Sequence, residues 1–226
     1  MTSTQLDIRE ASVQSSARAP RRTAQGVQTH EAILDGAVQV LSTLGLAGFS
    51  IPQVATAVGI APGNLTYYFP TRDHLVRAMA ERQLQQYAEQ VEAVCAELVQ
   101  GDELDLNGFV DWLLDSAVAA KTVHLFPELW AMANQNDYVG ESLDRIYEGA
   151  VVTLIRALGL DPEHPVTEEL RASLYLLQCV SEGATALFGR SGSDDPRFQA
   201  FKPVAKTAVV DVLRRALKEA RKDLAA

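Results

Sequence analysis

The stretch from residue 59 to 75 concentrates the side chains best suited to intermolecular chemistry. Pro62, Gly63, Asn64, Thr66, Tyr67 and Tyr68 fall within seven positions, and Arg72 follows just beyond them. The Thr66, Tyr67 and Tyr68 hydroxyls can bond phosphate oxygens, and the Asn64 amide can meet a base edge or a phosphate. Gly63 lets a backbone come close to a ligand, and Arg72 is placed to pair with an anionic backbone. This is chemistry for gripping a duplex polyanion.

Chemistry of other kinds lacks support in the sequence. The histidines are His30, His74, His124 and His164, and no His-Glu-x-x-His or Cys-x-x-Cys spacing occurs. His124 and Glu128 lie four apart, a spacing that can chelate, but Pro127 between them argues against a regular turn there. No Gly-x-Ser-x-Gly elbow and no Walker loop is present, and Gly189-Arg190-Ser191-Gly192-Ser193 follows no strand, so it reads as a connector. The expectation is therefore no enzyme activity, no metal and no cofactor.

The elements that position these residues follow from hydrophobic spacing and helix punctuation. Residues 1–27 lack periodicity and end in a basic run with Arg18, Arg21 and Arg22, so they read as a disordered arm. Thr29 is read as the cap of a first helix whose stripe is Ile33, Leu34, Ala37, Val38, Leu41 and Leu44, stopped by Gly45. Ser50-Ile51-Pro52-Gln53 has the capping-box pattern for a second helix ending at Gly59. Pro62 opens a short third helix in which Leu65 and Phe69 face inward. Thr71 caps a long helix to about Val99. Further helices are expected at about 106–121, 126–135, 138–158, 166–188 and 203–224, with breaks at Pro127, at Asn136-Asp137, at Gly159 with Pro162 and Pro165, and from Gly189 to Pro196. No strand and no repeat is expected, so the fold class is all-α.

Composition agrees with a globular helical protein. The 226 residues are 47% hydrophobic and 22% charged, and no apolar run approaches the ~18 residues of a membrane span. Cys95 and Cys179 sit far apart in apolar helical context, which reads as reduced, buried thiols in the cytoplasm. The net charge is −9, but it is unevenly spread. Residues 1–86 hold 7 basic and 6 acidic residues, leaving 13 basic against 23 acidic for 87–226. The first part can approach a polyanion while the rest is repelled from it.

Two short helices joined by a glycine-containing turn form a helix-turn-helix, which sets the N-terminal end of its second helix into a major groove. The run Gly59-Ile60-Ala61-Pro62-Gly63-Asn64-Leu65-Thr66-Tyr67-Tyr68-Phe69, with Ile33-Leu34-Asp35-Gly36-Ala37, Phe49-Ser50 and Val54-Ala55 upstream, resembles the signature of TetR-family transcriptional regulators. The resemblance covers about residues 28–80. It departs from the family pattern at three points: Pro62 replaces a frequent Lys, Thr66 a Tyr and Tyr68 a His. The short helix thus has no cation of its own.

The resemblance implies a DNA surface of Pro62, Gly63, Asn64, Thr66, Tyr67 and Tyr68, with Arg72, Ser50 and Thr29 on phosphates. Arg21 and Arg22 of the arm are expected to supply the missing positive charge. It also implies three parts: 1–27 as the arm, 28–74 as the DNA-binding domain, and 75–226 as a ligand-binding and dimerisation domain. The last two long helices carry stripes (Leu170, Leu174, Leu177, Val180, Ala184, Leu187; then Val204, Ala208, Val212, Leu217) that suit a homodimer interface. An effector pocket is expected among the middle helices, with walls from Phe109, Trp112, Trp130, Tyr147, Tyr175 and Cys179. His124, Asn134 and Gln178 are expected as polar fixers there. Asp111 and Asp115 lie four apart, a spacing that suits either a cationic ligand or a solvated acidic face. The function expected is a ligand-responsive regulator, in the first instance a repressor, that binds a palindromic operator in double-stranded DNA as a dimer and is released by a small hydrophobic effector. The alternative is an α-helical protein-interaction module that has lost DNA binding. No membrane partner is expected.

Overall fold

The computed structural model describes residues 24–100 and 103–224. Among them nine α-helices run in order: α1 Ala24–Gly48, α2 Ile51–Val58, α3 Pro62–Tyr68, α4 Arg72–Leu98, α5 Leu106–Ala117, α6 Ala120–Ala133, α7 Asp137–Ala157, α8 Glu168–Phe188 and α9 Pro196–Leu224. A 3₁₀ turn, Pro165–Thr167, precedes α8. No described helix is long and apolar enough to cross a membrane.

The N-terminal punctuation forms as the sequence dictates. Ser50 Oγ accepts the Gln53 N–H at 3.4 Å and Pro52 lies in the first turn of α2, whose end is set by the left-handed Gly59. Pro62 opens α3, and Thr71 Oγ1 accepts the His74 N–H at 3.2 Å to start α4. Gly45, at φ 65°, breaks α1 with a backbone conformation few other residues adopt, and the chain resumes helical form to Gly48. Gly36 serves a different need. A Cβ there would run into the Val58 side chain, so the crossing of α1 over α2 depends on its absence.

Two apolar clusters organise the chain. One joins Ile33, Leu41, Val54, Leu65, Phe69 and Leu75 of the N-terminal helices to Leu125, Leu129 and Met132 of α6 and to Val139 and Leu143 of α7. The other is built from α5, α8, α9, the far half of α7 and the end of α4, with Phe109, Leu114, Ile155, Leu170 and Phe198 essentially inaccessible. Each such side chain contributes about 1.5–3 kcal/mol of burial. Helix α4 belongs to both clusters and is the strut between them.

Several expectations need correction. Helix α1 begins at Ala24, so Thr29 is not a cap. Its hydroxyl donates to the Gln25 carbonyl one turn back, at 3.0 Å, inside the helix. A two-residue antiparallel hairpin, β1 Val99–Gln100 and β2 Glu103–Leu104, pairs Val99 with Leu104 where no strand is expected. Pro127 and Pro203 do not end helices. They lie inside α6 and α9, which therefore start well before the expected 126 and 203. An interior proline costs a helix about 3 kcal/mol. In α6 that cost is offset by Leu125, Phe126, Leu129 and Met132, all buried around it. Cys95 is buried, and burial pushes its thiol up to about 11, but Cys179 is exposed.

Candidate nucleic-acid interface and ligand groove

Helix α3 packs on α2 and is held in the N-terminal cluster by Leu65, at 0% exposure, and by Phe69, at 4%. That seating turns Pro62, Gly63, Asn64, Thr66 and Tyr67 outward together. Tyr67 is 82% exposed. Its ring meets the Tyr68 ring edge-on at 5.4 Å, and Tyr68 itself is half-buried against the N-terminal cluster. The Thr66 hydroxyl donates to the Gly63 carbonyl at 3.0 Å, which leaves its oxygen lone pairs facing out. A Cβ at Gly63 would meet nothing within 4 Å, so the glycine leaves a bare patch of backbone.

Arg72 is not a free cation. Its Nε donates to the Phe49 carbonyl at 3.2 Å, and the guanidinium lies 5.5 Å from the Phe49 ring centroid. It ties the start of α4 to the entry of α2 while its outer N–H groups stay exposed. Ser50 caps α2 beside it. Residues 36–71 contain no Asp, Glu, Lys or Arg, so the whole helix-turn-helix is formally uncharged. Anions there would be met by peptide N–H groups at the starts of α2 and α3 and by hydroxyls. Arg18, Arg21 and Arg22 lie outside the described residues. Thr29, mid-helix with its hydroxyl engaged, does not stand at a helix start.

The second constellation lies between α6, α7 and α8. A groove of about 570 Å³ is lined by Trp130, Asp144, Tyr147, Glu148, Tyr175, Gln178, Cys179 and Glu182. A chain of hydrogen bonds crosses its floor. Trp130 Nε1 donates to Tyr147 Oη at 2.9 Å, Tyr147 Oη donates to Glu182 Oε1 at 2.8 Å, and Gln178 Nε2 donates to the Tyr147 carbonyl at 2.8 Å. Burial raises the Glu182 carboxyl from its ordinary 4.5 to about 7. Burial and the nearby Glu182 charge push Tyr87, behind the groove on α4, up to about 12, and push Tyr147 well above the usual phenol range. At the rim, Glu148 accepts from Tyr175 Oη and pairs with Arg171.

Of the nine residues expected to bind an effector, Trp130, Tyr147, Tyr175, Gln178 and Cys179 come together here. Phe109 sits just beneath, at a small void shared with Tyr147 and Gln178. Three do not join them. Trp112 packs on the second cluster beside Phe109, Asn134 is exposed at the end of α6, and His124 lines a different cleft with the Gly189–Ser193 turn. Asp111 and Asp115 lie on a solvated face, 40% and 57% exposed, where the protein's own lysines meet them: Lys202 bridges both, at 3.4 and 2.7 Å, and Lys206 pairs with Asp111. Glu182, Asp144 and Glu148 escaped sequence reasoning. The available signal was spacing, because Glu182 is four residues from Gln178 and seven from Tyr175, on one helical face. Another groove, about 610 Å³, lies by the hairpin under Arg214, Lys218 and Arg221, but its walls are largely charged and Arg221 is held by Glu103 at 3.2 Å and by the Leu158 carbonyl.

A direct link joins the groove helix to the reading unit. Glu128, two residues from Trp130 on α6, accepts the Leu46 N–H at 2.7 Å through Oε2. Leu46 follows the Gly45 break, so this carboxylate satisfies an amide freed by the break. Nearby, Asn136 donates to Asp73 at 2.6 Å and Tyr138 to Glu81 at 3.3 Å, which fastens the start of α7 to α4.

An exposed helix-turn-helix seated on a larger helical body defines a class of DNA-reading proteins. Residues 33–79 match the family described as bacterial regulatory proteins, tetR family. An HTH-type transcriptional regulator of Xanthobacter autotrophicus, from the dhlA 5′ region and described as uncharacterized, is 31% identical over 119 residues, which are 52% of this chain and 59% of that protein. The fold is similar to Salmonella enterica GusR, at TM-score 0.61 and 20% identity, covering 86% of this chain and 100% of that one. It is also similar to the multidrug binding protein EbrR complexed with ethidium, at TM-score 0.61 and 23% identity, covering 81% and 97%. The tetR-family match thus spans α1 from Ile33 through the start of α4, the helix-turn-helix included, and the likeness over the remaining helices is one of fold.

Proposed function

We propose that the protein is a ligand-responsive repressor that binds a palindromic operator as a homodimer and leaves it when a small molecule fills the groove between α6, α7 and α8. The observation that carries this is the outward face of α3. Asn64, Thr66 and Tyr67 are exposed together on a helix whose other side is fully buried. A core-packing role would have hidden them, and the alternative of a purely protein-binding module gives no reason for bare backbone at Gly63.

A palindrome requires two reading helices about 34–36 Å apart, or a multiple of that, and hence a two-fold pair of subunits. Leu170, Leu174, Leu177 and Ala184 turn into the subunit's own core, so only part of the α8 stripe is free for a partner. Leu176 at 44% exposure, Leu187 at 68% and Val204 at 70% supply an apolar face on α8 and α9 for that pairing. Release follows if the ligand binds the two spacings unequally. A ligand that displaces Trp130 moves α6 and with it the Glu128 contact to α1, while α4 carries the change to Thr71 and α3. EbrR, the structural neighbour complexed with ethidium and with proflavin, supports a small-molecule effector in this fold. The arm residues Arg21 and Arg22 would add phosphate contacts to an uncharged reading unit. Cytoplasmic location accompanies this role.

The test is a footprint of the purified protein on the DNA upstream of its own gene. A protected palindrome is expected. A protein that protects no DNA across that region overturns the reading and favours the interaction module.

A further inference from the structure

We propose that the groove between α6, α7 and α8 takes an organic monocation with a flat apolar body, its charge set against Glu182 and its ring against Trp130, Tyr147 and Tyr175. This rests on the repressor reading and narrows its effector to one chemical class.

The argument starts from Glu182. Its carboxylate accepts from Tyr147 and, among the described residues, pairs with no basic side chain. A carboxylate half-removed from water and held by one neutral donor is an unfavourable arrangement for a fold to keep. A ligand cation supplies the missing partner. The groups facing Glu182 offer no substitute. Tyr87 on α4, Trp130 on α6, Tyr147 on α7 and Gln178 on α8 are neutral, and Asp144 and Glu148 at the rim add negative charge. No basic residue is among those lining the groove, and Arg171 at its rim is taken up by Glu148 and by the Pro162 carbonyl at 2.9 Å.

The walls select further. The indole N–H of Trp130 and the hydroxyls of Tyr147 and Tyr175 are engaged within the protein, so their donors are not offered to a ligand. An anion would find carboxylates and no free donor among these groups. The aromatic faces that remain attract a cation, most strongly where water is excluded. A volume of about 570 Å³ suits a molecule of a few fused rings.

The experiment compares two rings that differ by one methyl group and one fixed charge. N-methylacridinium and acridine are titrated calorimetrically into the full-length protein at about pH 8, where acridine is neutral and Glu182 is ionised. The cation is expected to bind at least about tenfold tighter. Glu182→Gln, which keeps the acceptor for Tyr147, is expected to erase the preference while acridine still binds. Equal affinity for the two rings in the parent protein overturns the proposal, as does a preference that survives in Glu182→Gln. A gel shift on the footprinted operator then separates this claim from the repressor reading. Glu182-dependent cation binding that leaves the complex intact supports the site and overturns induction. Release that persists in Glu182→Gln is intercalation into the DNA and also overturns induction through this site.

Discussion

Replacing Glu182 with Gln should stabilise the protein, and by an amount that depends on pH. The folded chain holds this carboxyl near 7, against an ordinary 4.5, because burial disfavours its charged form. Folding therefore favours the protonated group across that window. The stability attached to Glu182 is fully present below about pH 4.5 and is lost as pH rises through about 7. Each pKa unit is worth about 1.4 kcal/mol, so the ceiling on the loss is about 3 kcal/mol, and partial solvation of the groove reduces it to about 1–3 kcal/mol. Glutamine is neutral throughout and still accepts the Tyr147 hydroxyl proton. For a chain of this size 1 kcal/mol moves Tm by about 2–4 °C. Thermal denaturation of the parent protein and of Glu182→Gln, run in parallel from pH 4 to pH 8, should give near-equal Tm values at the acid end. The variant should gain roughly 3–10 °C at the alkaline end. Other titrating groups are common to both proteins and cancel in the difference. A Tm difference that is flat with pH, or a variant less stable at pH 8, would refute the claim that Glu182 is a buried carboxylate without a cation.

Three further outcomes are expected. Tyr67→Ala removes a side chain that packs on almost nothing, so stability should change by less than about 0.5 kcal/mol while operator affinity falls about fivefold or more, read by gel shift. Glu128→Ala strips the Leu46 N–H of its acceptor. Denaturant unfolding should show a loss of about 1–3 kcal/mol, and the effector concentration needed for half-release of operator should rise, because α6 no longer holds α1. Leu187→Glu places a charge on the exposed apolar face of α8. Sedimentation should show monomers, and operator binding should weaken with dimer loss, while a monomeric parent protein would remove the basis of this prediction.

The reading unit was legible because its boundaries are set by residues with few alternatives. Ser50, Gly59, Pro62 and Thr71 each impose a local backbone state, and the helices between them are too short to drift. The middle of the chain is written in a weaker code. Pro127 and Pro203 suggest breaks by local rule, yet tertiary burial keeps α6 and α9 continuous through them. The start of α1 at Ala24 carries no such mark, because in residues 24–30 Val27 is the one large apolar side chain and no stripe forms, though nothing there forbids a helix. The 99–104 hairpin is too brief to show alternation. The groove was half legible. Its aromatics stood out by type, but the carboxylate that gives it a chemical preference looked like any other glutamate on a helix. Only the approach of Tyr147 on α7 to Glu182 on α8 reveals it, and that is a relation between helices 35 residues apart in sequence.

The absence of charge between residues 36 and 71 has a consequence for how such a protein would find its site. Most DNA readers spend their search adhering loosely to any sequence, because lysines and arginines displace counterions wherever they land. A neutral probe would divide the two tasks: loose adhesion, and the sensitivity to salinity that comes with it, would fall to Arg72 and to the arm's Arg18, Arg21 and Arg22, at the margins of the probe. Discrimination at the centre would rest on shape and hydrogen-bond fit.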